Sequence, residues 1–195
     1  MKPDTNPTLV AVVCWYAAPM TDSPTSSDLV ARYIRAVPDF PEPGIMFRDI
    51  TPLLSEPDAF ARVLDWLAES CEGADAVVGV ESRGFILGAP VAQRLGLPFV
   101  PIRKAGKLPA EKIARSYDLE YGSATIEMHA DALAAGHRVA LIDDLLATGG
   151  TAEAAIQLIL QSGATVDQVA FLIELEVLNG RERLRPHPVD SMLVY

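Results

Sequence analysis

Apolar residues are arranged in two alternating ways along this chain. Short unbroken runs occur in "ADAVVGVES", "LPFVPIR", "VALIDD", "VAFLIELE" and "SMLVY", all rich in Val, Ile and Leu. Runs of this length and branching suit parallel strands covered on both faces. Between them the apolar spacing becomes helical. Phe60, Val63, Leu64 and Leu67 mark one buried helix face, with Ser55 as its predicted N-cap and Pro57 in its first turn. "RGFILGAPVAQRLG" predicts a helix ending at Gly96, and a further helix is predicted from about Ala152 to Ser162. Near the start, Ser27 or Asp28 is placed to cap a helix carrying Leu29, Val30, Tyr33, Ile34 and Val37. Strands alternating with helices predict an α/β fold: an open, mainly parallel central sheet flanked by helices.

Two segments depart from this rhythm. Pro38, Pro41 and Pro43 make "PDFPEPGIMFRDITPLL", residues 38–54, stiff and turn-rich. From Arg103 to Gly136 the chain is polar with alternating stretches, which predicts a long hairpin or flap over about 103–125. With 195 residues, half of them hydrophobic, the chain suits one core, so residues 26–195 are read as a single domain. Residues 1–25 stand apart. "TLVAVVCWYAAPM" faintly resembles a signal peptide, but Asp4 sits in the would-be basic region and the cleavage pattern is poor. A start at Met20 is the simpler account, and disorder is expected over 1–25.

Charge and cysteine usage narrow the function. A net charge of −10 repels nucleic acid and anionic membranes as partners. No apolar run approaches the roughly 20 residues of a membrane span. Cys14 and Cys71 have no spacing suited to zinc or a disulfide framework, so a reducing, cytoplasmic setting is expected. His129, His137 and His187 share no ligand spacing and read as structural or solvated.

The candidate chemistry starts at "VALIDDLLATGGTAEAA", residues 139–155. A buried strand runs into paired acids, Asp143 and Asp144, then a small-residue loop, then a helix. Ligands bind at the carboxyl ends of strands in open parallel sheets. The unpaired N–H groups and positive dipole end of the following helix favour an anion. Gly149 and Gly150 allow close backbone approach, while Thr148 and Thr151 add hydroxyl donors. A phosphate cradle with carboxylates on one side suits a phosphorylated sugar, whose vicinal hydroxyls donate to the acids. A Walker A loop would need Gly-Lys-Ser/Thr, and no lysine precedes Thr151; the dinucleotide fingerprint G-x-G-x-x-G is also absent. "ESRG", at the end of the first core strand, offers Ser82, Arg83 and Gly84 to an anion through backbone N–H groups and a guanidinium. Arg103, Lys104, Lys107, Lys112 and Arg115 concentrate positive charge in an acidic chain, although Lys112 and Arg115 read as solvated.

"FPEPGIMFRDITPLL", "ESRGFILGAPVA", "IRKAGKLP", "YDLEYGSATIEMH" and "DDLLATGGT" together, in this order, resemble the type I phosphoribosyltransferases, and among them the adenine phosphoribosyltransferase family. The resemblance covers roughly Leu29 to Tyr195. It implies transfer of the 5-phosphoribosyl group of 5-phosphoribosyl pyrophosphate (PRPP) to adenine, giving AMP and pyrophosphate, in purine salvage. Ala147, Thr148, Gly149, Gly150 and Thr151 would hold the 5′-phosphate, with Asp143 and Asp144 on the ribose hydroxyls. Ser82, Arg83 and Gly84 would face pyrophosphate in a loop whose peptide can be cis, joined by Arg103, Lys104 and Lys107. Residues 38–55 would form a small N-terminal hood over the base. There Phe47 would stack on adenine, the backbone of Met46 and Arg48 would read its edge, and Leu145 would pack on its other face. Glu120 would handle the proton on the purine imidazole ring and, with Arg83, make the catalytic pair. Mg²⁺ would arrive with PRPP, and a homodimer is expected. Relatives that prefer hypoxanthine, guanine or xanthine resemble the chain in the PRPP loop but not in "FPEPGIMFRDIT" or "YDLEYG". A PRPP-sensing gene regulator would need a DNA-binding module or a basic face; residues 1–37 show no helix-turn-helix, and the net charge of −10 is of the wrong sign.

Overall fold

A computed structural model describes residues 25–118 and 123–195. The chain enters through α1 (Ser26–Ala31), capped not by Ser27 or Asp28 but by Thr25. The Thr25 hydroxyl accepts from the Asp28 N–H at 3.2 Å, and the Asp28 carboxylate accepts from the Thr25 N–H at 3.1 Å. This reciprocal box fixes the helix start two to three residues earlier than the expected cap at Ser27 or Asp28. The helix also ends sooner. Val37, read as part of its face, belongs to β1 (Arg35–Pro38), which pairs antiparallel with β2 (Met46–Asp49), Val37 opposite Phe47. Backbone pairing across the proline-rich turn overrides a helical spacing that Pro38 would have stopped anyway. Ser55 is likewise not the cap of the long helix. It closes α2 (Thr51–Leu54), its hydroxyl donating to the Thr51 carbonyl at 3.3 Å, and α3 (Pro57–Ser70) starts from Glu56 without a side-chain cap.

The main body follows as β3 (Ala76–Val80), α4 (Arg83–Leu95), β4 (Phe99–Lys104), β5 (Lys112–Asp118), β6 (Ser123–His129), β7 (Arg138–Leu146), α5 (Gly150–Gln161), β8 (Thr165–Glu174), α6 (Gly180–Arg183) and β9 (Val189–Val194). Strand order is β5-β6-β4-β3-β7-β8-β9. The five strands from β4 to β9 in that order are parallel, as the unbroken apolar runs require. The predicted hairpin is β5–β6, and it is no appendage. β6 pairs antiparallel with β4 at Arg103–Glu127 and Lys104–Ile126, so the flap strands continue the sheet at its edge.

Alternation along the central strands fills two cores. Val78, Leu141 and Phe171 face α5 and the β5–β6 side, whereas Val77, Ile142 and Leu172 face α1, α3 and α4. Cys71 lies in the second core, where burial and then Asp190 push its thiol up to about 12, so it is an inert packing residue. Cys14 lies outside the described residues.

One contact sets how closely α4 lies on β3. A Cβ placed on Gly79 would stand 2.8 Å from the Gly84 carbonyl oxygen and 2.8 Å from the Phe99 ring. The carbonyl belongs to the first turn of α4 and has no room to retreat. Gly79→Ala should therefore destabilise the fold by about 2 kcal/mol, read as a melting temperature lower by roughly 5 °C. An unchanged melt would show that α4 is not held at this distance.

Candidate functional site

β4 lies on one side of β3 and β7 on the other, so the chain leaves β3 at a point where the strand order reverses. A crevice must open there, beyond the carboxyl ends of the strands. Its walls are the turn from Glu81 to Gly84, after β3, and the segment from Asp143 to Thr151, at the end of β7. The Glu81–Ser82 peptide is cis, the form the resemblance allows for. A cleft of about 460 Å³ is lined by Glu81, Ser82, Arg83, Lys104, Asp143, Asp144, Leu145, Ala147 and Thr151, with Tyr117 and Ala124 from the flap strands. A small annex of about 70 Å³ adjoins it, lined by Ala147, Thr148, Gly149, Gly150 and Thr151 at the start of α5.

Asp143 and Asp144 sit within β7, which runs on to Leu146, rather than at its last residues. Successive strand residues face opposite ways, so the two carboxylates leave the strand on different sides. Asp144 is 4 % exposed and pairs with Arg83, Nε to Oδ2 at 3.0 Å. The Asp143 Oδ1 accepts from the Asp144 N–H at 2.9 Å. A Cβ on Gly84 would lie 2.9 Å from the Ile142 carbonyl and 3.0 Å from Asp143 Oδ1, so only glycine lets α4 start this close to the acids. Burial, and then the neighbouring Asp144 charge, hold the Asp143 carboxyl well above its ordinary value. Burial also raises Asp144, and the Arg83 guanidinium opposes that rise. An acid pair of this kind is short of donors.

The annex is braced from behind. Gly149 has φ +81°, and a Cβ on it would come 2.7 Å from the Gly180 carbonyl oxygen; a Cβ on Gly180 would run into the Ala147 carbonyl. Gly180 opens α6, and sequence reasoning missed it. Its signal was the Asn179-Gly180 dipeptide, a turn mark that names no partner. Glu81 was also missed. Its carboxylate accepts from Arg103 Nε at 3.1 Å and the Lys104 N–H at 3.2 Å. Burial works to raise the Glu81 carboxyl, but these donors outweigh it and hold the group below its ordinary value.

Of the basic trio, Lys104 alone lines the cleft. Arg103 is turned to Glu81 and donates from Nη1 to the Lys107 carbonyl at 3.2 Å, so its guanidinium fixes the β4 turn, and the Lys107 side chain is not among the cleft groups. Phe47 lines a separate apolar cavity of about 500 Å³ with Val37, Phe40, Ile50, Leu54 and Ile86. Arg83 borders both spaces, its guanidinium 5.7 Å from the Phe47 ring centroid. Leu145 faces the polar cleft instead. Met46 is exposed, and the Arg48 side chain is stacked on Tyr195 at 3.8 Å, turned away from the cavity lining. Glu120 and Tyr121 lie outside the described residues. Among the described residues no helix is long and apolar enough to cross a membrane.

A parallel sheet with its crevice at the order reversal, an acid pair and a glycine-bounded anion cradle together define a sugar-phosphate-handling α/β protein. The phosphoribosyl transferase domain family matches residues 50–192, and the chain belongs to that family. Its relatives point to one member. It is 57% identical over 180 residues to the adenine phosphoribosyltransferase of Streptomyces coelicolor, covering 89% of this chain and 99% of that one. It is 62% identical over 164 residues to that of Roseiflexus castenholzii, covering 83% and 95%. Among solved structures, the adenine phosphoribosyltransferase of Thermoanaerobacter pseudethanolicus superposes with a TM-score of 0.84 at 46% identity, over 87% of this chain and 99% of that one. The Saccharomyces cerevisiae enzyme, solved with an imino-altritol bisphosphate and adenine, gives 0.82 at 39% identity, over 86% and 98%.

The acid pair has a thermodynamic signature. A carboxyl raised by burial costs stability only where it is ionised in the folded state. That cost is full above its raised value and fades as pH falls through it toward the ordinary 3.8. Asp143→Asn keeps an acceptor for the Asp144 N–H and removes the charge. It should melt several degrees above the parent at pH 8, with the gap closing as pH approaches about 4. A gap that persists unchanged into acid would show that Asp143 carries no such cost.

Proposed function

We propose that the chain transfers the 5-phosphoribosyl group of PRPP to adenine, giving AMP and pyrophosphate in purine salvage. The observation that carries this reading is the crevice itself: an acid pair, Asp144 buried and Asp143 half-buried, beside a phosphate-sized annex, with Arg83 bridging to an apolar cavity under Phe47. The 5′-phosphate sits on Ala147 to Thr151, where the N–H groups at the start of α5 meet its charge. Asp143 and Asp144 accept from the ribose 2′- and 3′-hydroxyls. Ser82, Arg83, Gly84 and Lys104 face the pyrophosphate, while Arg103 supports that region through its bonds to Glu81 and to the Lys107 carbonyl.

In the reaction the C1′–O bond to pyrophosphate breaks, positive charge develops on the ribose ring, and adenine N9 forms the new bond to C1′. The acids beside the ring stabilise that charge where water is excluded. Phe47 stacks on the base, the backbone of Met46 and Arg48 reads its edge, and Leu145 closes from the polar side. Glu120 moves the imidazole proton. Mg²⁺ belongs to this proposal as part of the substrate, neutralising pyrophosphate charge. The donor set suits that role, since hard Mg²⁺ is typically held by phosphates, waters and one or two carboxylates. Among the described residues no group of three or more His, Cys, Asp or Glu is arranged to hold a metal ion. The family carries the further expectation of a homodimer in the cytoplasm, which light scattering and cell fractionation read directly.

The test is a base-by-base assay. With PRPP and Mg²⁺, adenine should give AMP while hypoxanthine and guanine give far less nucleotide. No AMP from adenine sinks the reading, and IMP or GMP at a comparable rate moves it to another base. Glu120→Gln and Asp144→Asn should each lower kcat by about a hundredfold or more. Full activity in either variant removes that residue from its role even where the overall reaction stands.

A further inference from the structure

Tyr117 was not singled out by the sequence, yet it stands at the junction of the flap strands and the anion cradle. It lies one residue before the end of β5 and packs partly against the core on the α5 side. The Thr151 hydroxyl, in the first turn of α5, donates to the Tyr117 hydroxyl oxygen at 3.1 Å. Thr151 lines both the annex and the main cleft, and Tyr117 lines the cleft. One hydroxyl pair thus ties the sheet edge to the place where an anion would dock.

A threonine hydroxyl has a single proton and two lone pairs. While that proton is given to Tyr117, the oxygen turns lone pairs to an arriving phosphate, which is repulsive. The tyrosine hydroxyl has its own proton and can reverse the bond. Tyr117 then donates to Thr151 Oγ1, and the Thr151 proton is free to point at the anion. Two hydrogen bonds in series polarise each other, so the second is stronger for the presence of the first.

We propose that Tyr117 is a positioning residue for the 5′-phosphate of the sugar substrate, acting through the Thr151 hydroxyl. This rests on the assignment of Ala147–Thr151 to the 5′-phosphate. This role needs no contact between Tyr117 and the base or the reacting carbon. Its loss weakens capture of the sugar phosphate and leaves the chemical step alone.

Steady-state kinetics on Tyr117→Phe, Thr151→Val and the double variant test it, with ribose 5-phosphate as a competitor that lacks pyrophosphate. Tyr117→Phe keeps the ring and its packing. It should raise KM for PRPP and the inhibition constant of ribose 5-phosphate roughly fivefold, with kcat within about twofold of the parent and KM for adenine unchanged. In the Thr151→Val background, Tyr117→Phe should add nothing, because the two hydroxyls act as one unit. Independent, multiplying effects would overturn the proposal by giving Tyr117 its own contact with the ligand. A lower melting temperature in Tyr117→Phe with no change in KM would overturn it by assigning the residue to packing. Should Thr151→Val leave the PRPP and ribose 5-phosphate constants unchanged, the phosphate assignment itself falls, and the proposal with it.

Discussion

Two carboxylates inside a hydrophobic strand are the constraint around which this molecule is arranged. Strand β7 carries Asp143 and Asp144 between Ile142 and Leu145, in the middle of the sheet. Burying such groups is unfavourable unless opposite charge or hydrogen bonds meet them. Arg83 meets Asp144, and it can do so only because α4 starts close to β7. That closeness in turn needs glycine at 84, where any side chain would strike the Ile142 carbonyl and the Asp143 carboxylate. It also needs glycine at 79, beneath the same turn. A chain of steric requirements therefore runs from the core of β3 to the charge state of the site.

The compensation is incomplete. One guanidinium serves two acids, and both carboxyls remain raised. Residual electrostatic cost of this kind is expected where a site is organised for a charge that develops only during reaction. A cation forming on a ribose ring beside these acids would be welcomed by groups already held in place, with little reorganisation left to do.

Much of this was legible in the chain. The unbroken apolar runs identify the parallel strands because both faces of such strands are covered, and "DDLLATGGT" identifies the cradle because its parts are contiguous. What failed to show was non-local. Nothing around Gly180 says that its backbone presses on Ala147 and Gly149, some thirty residues earlier. Glu81 reads as the first letter of "ESRG", while its work is to hold Arg103 and the Lys104 backbone across the sheet. Arg103 and Lys107 look equivalent to Lys104 in a basic loop, and only the fold separates a cleft-lining amine from a guanidinium used as a brace. Helix boundaries near Thr25 and Glu56 shifted because capping depends on which partners meet: Thr25 forms a reciprocal box with Asp28, and the Ser55 hydroxyl is taken by the Thr51 carbonyl.

Topology explains why the stretches bordering the apolar cavity and the anion cradle lie nearly a hundred residues apart in sequence. The order reversal at β3 leaves one crevice, and everything bordering it must come from elements that end there or fold over it. β7 and α5 supply the cradle, β3 and α4 supply Arg83, and β4 supplies Lys104. Of these only α4 reaches the apolar side, with Arg83 and Ile86 along one wall, so a separate piece must cover it. The β1–β2 ribbon does this with Phe47, and its proline-rich turn stiffens a hairpin too short to be stable alone. Arg83 is the residue common to both spaces, bonded to Asp144 and close to Phe47. A substrate spanning the two cavities would have to pass this guanidinium. The arrangement favours ligands that carry negative charge at one end and a flat apolar group at the other, which is the shape of a nucleotide assembled from its two halves.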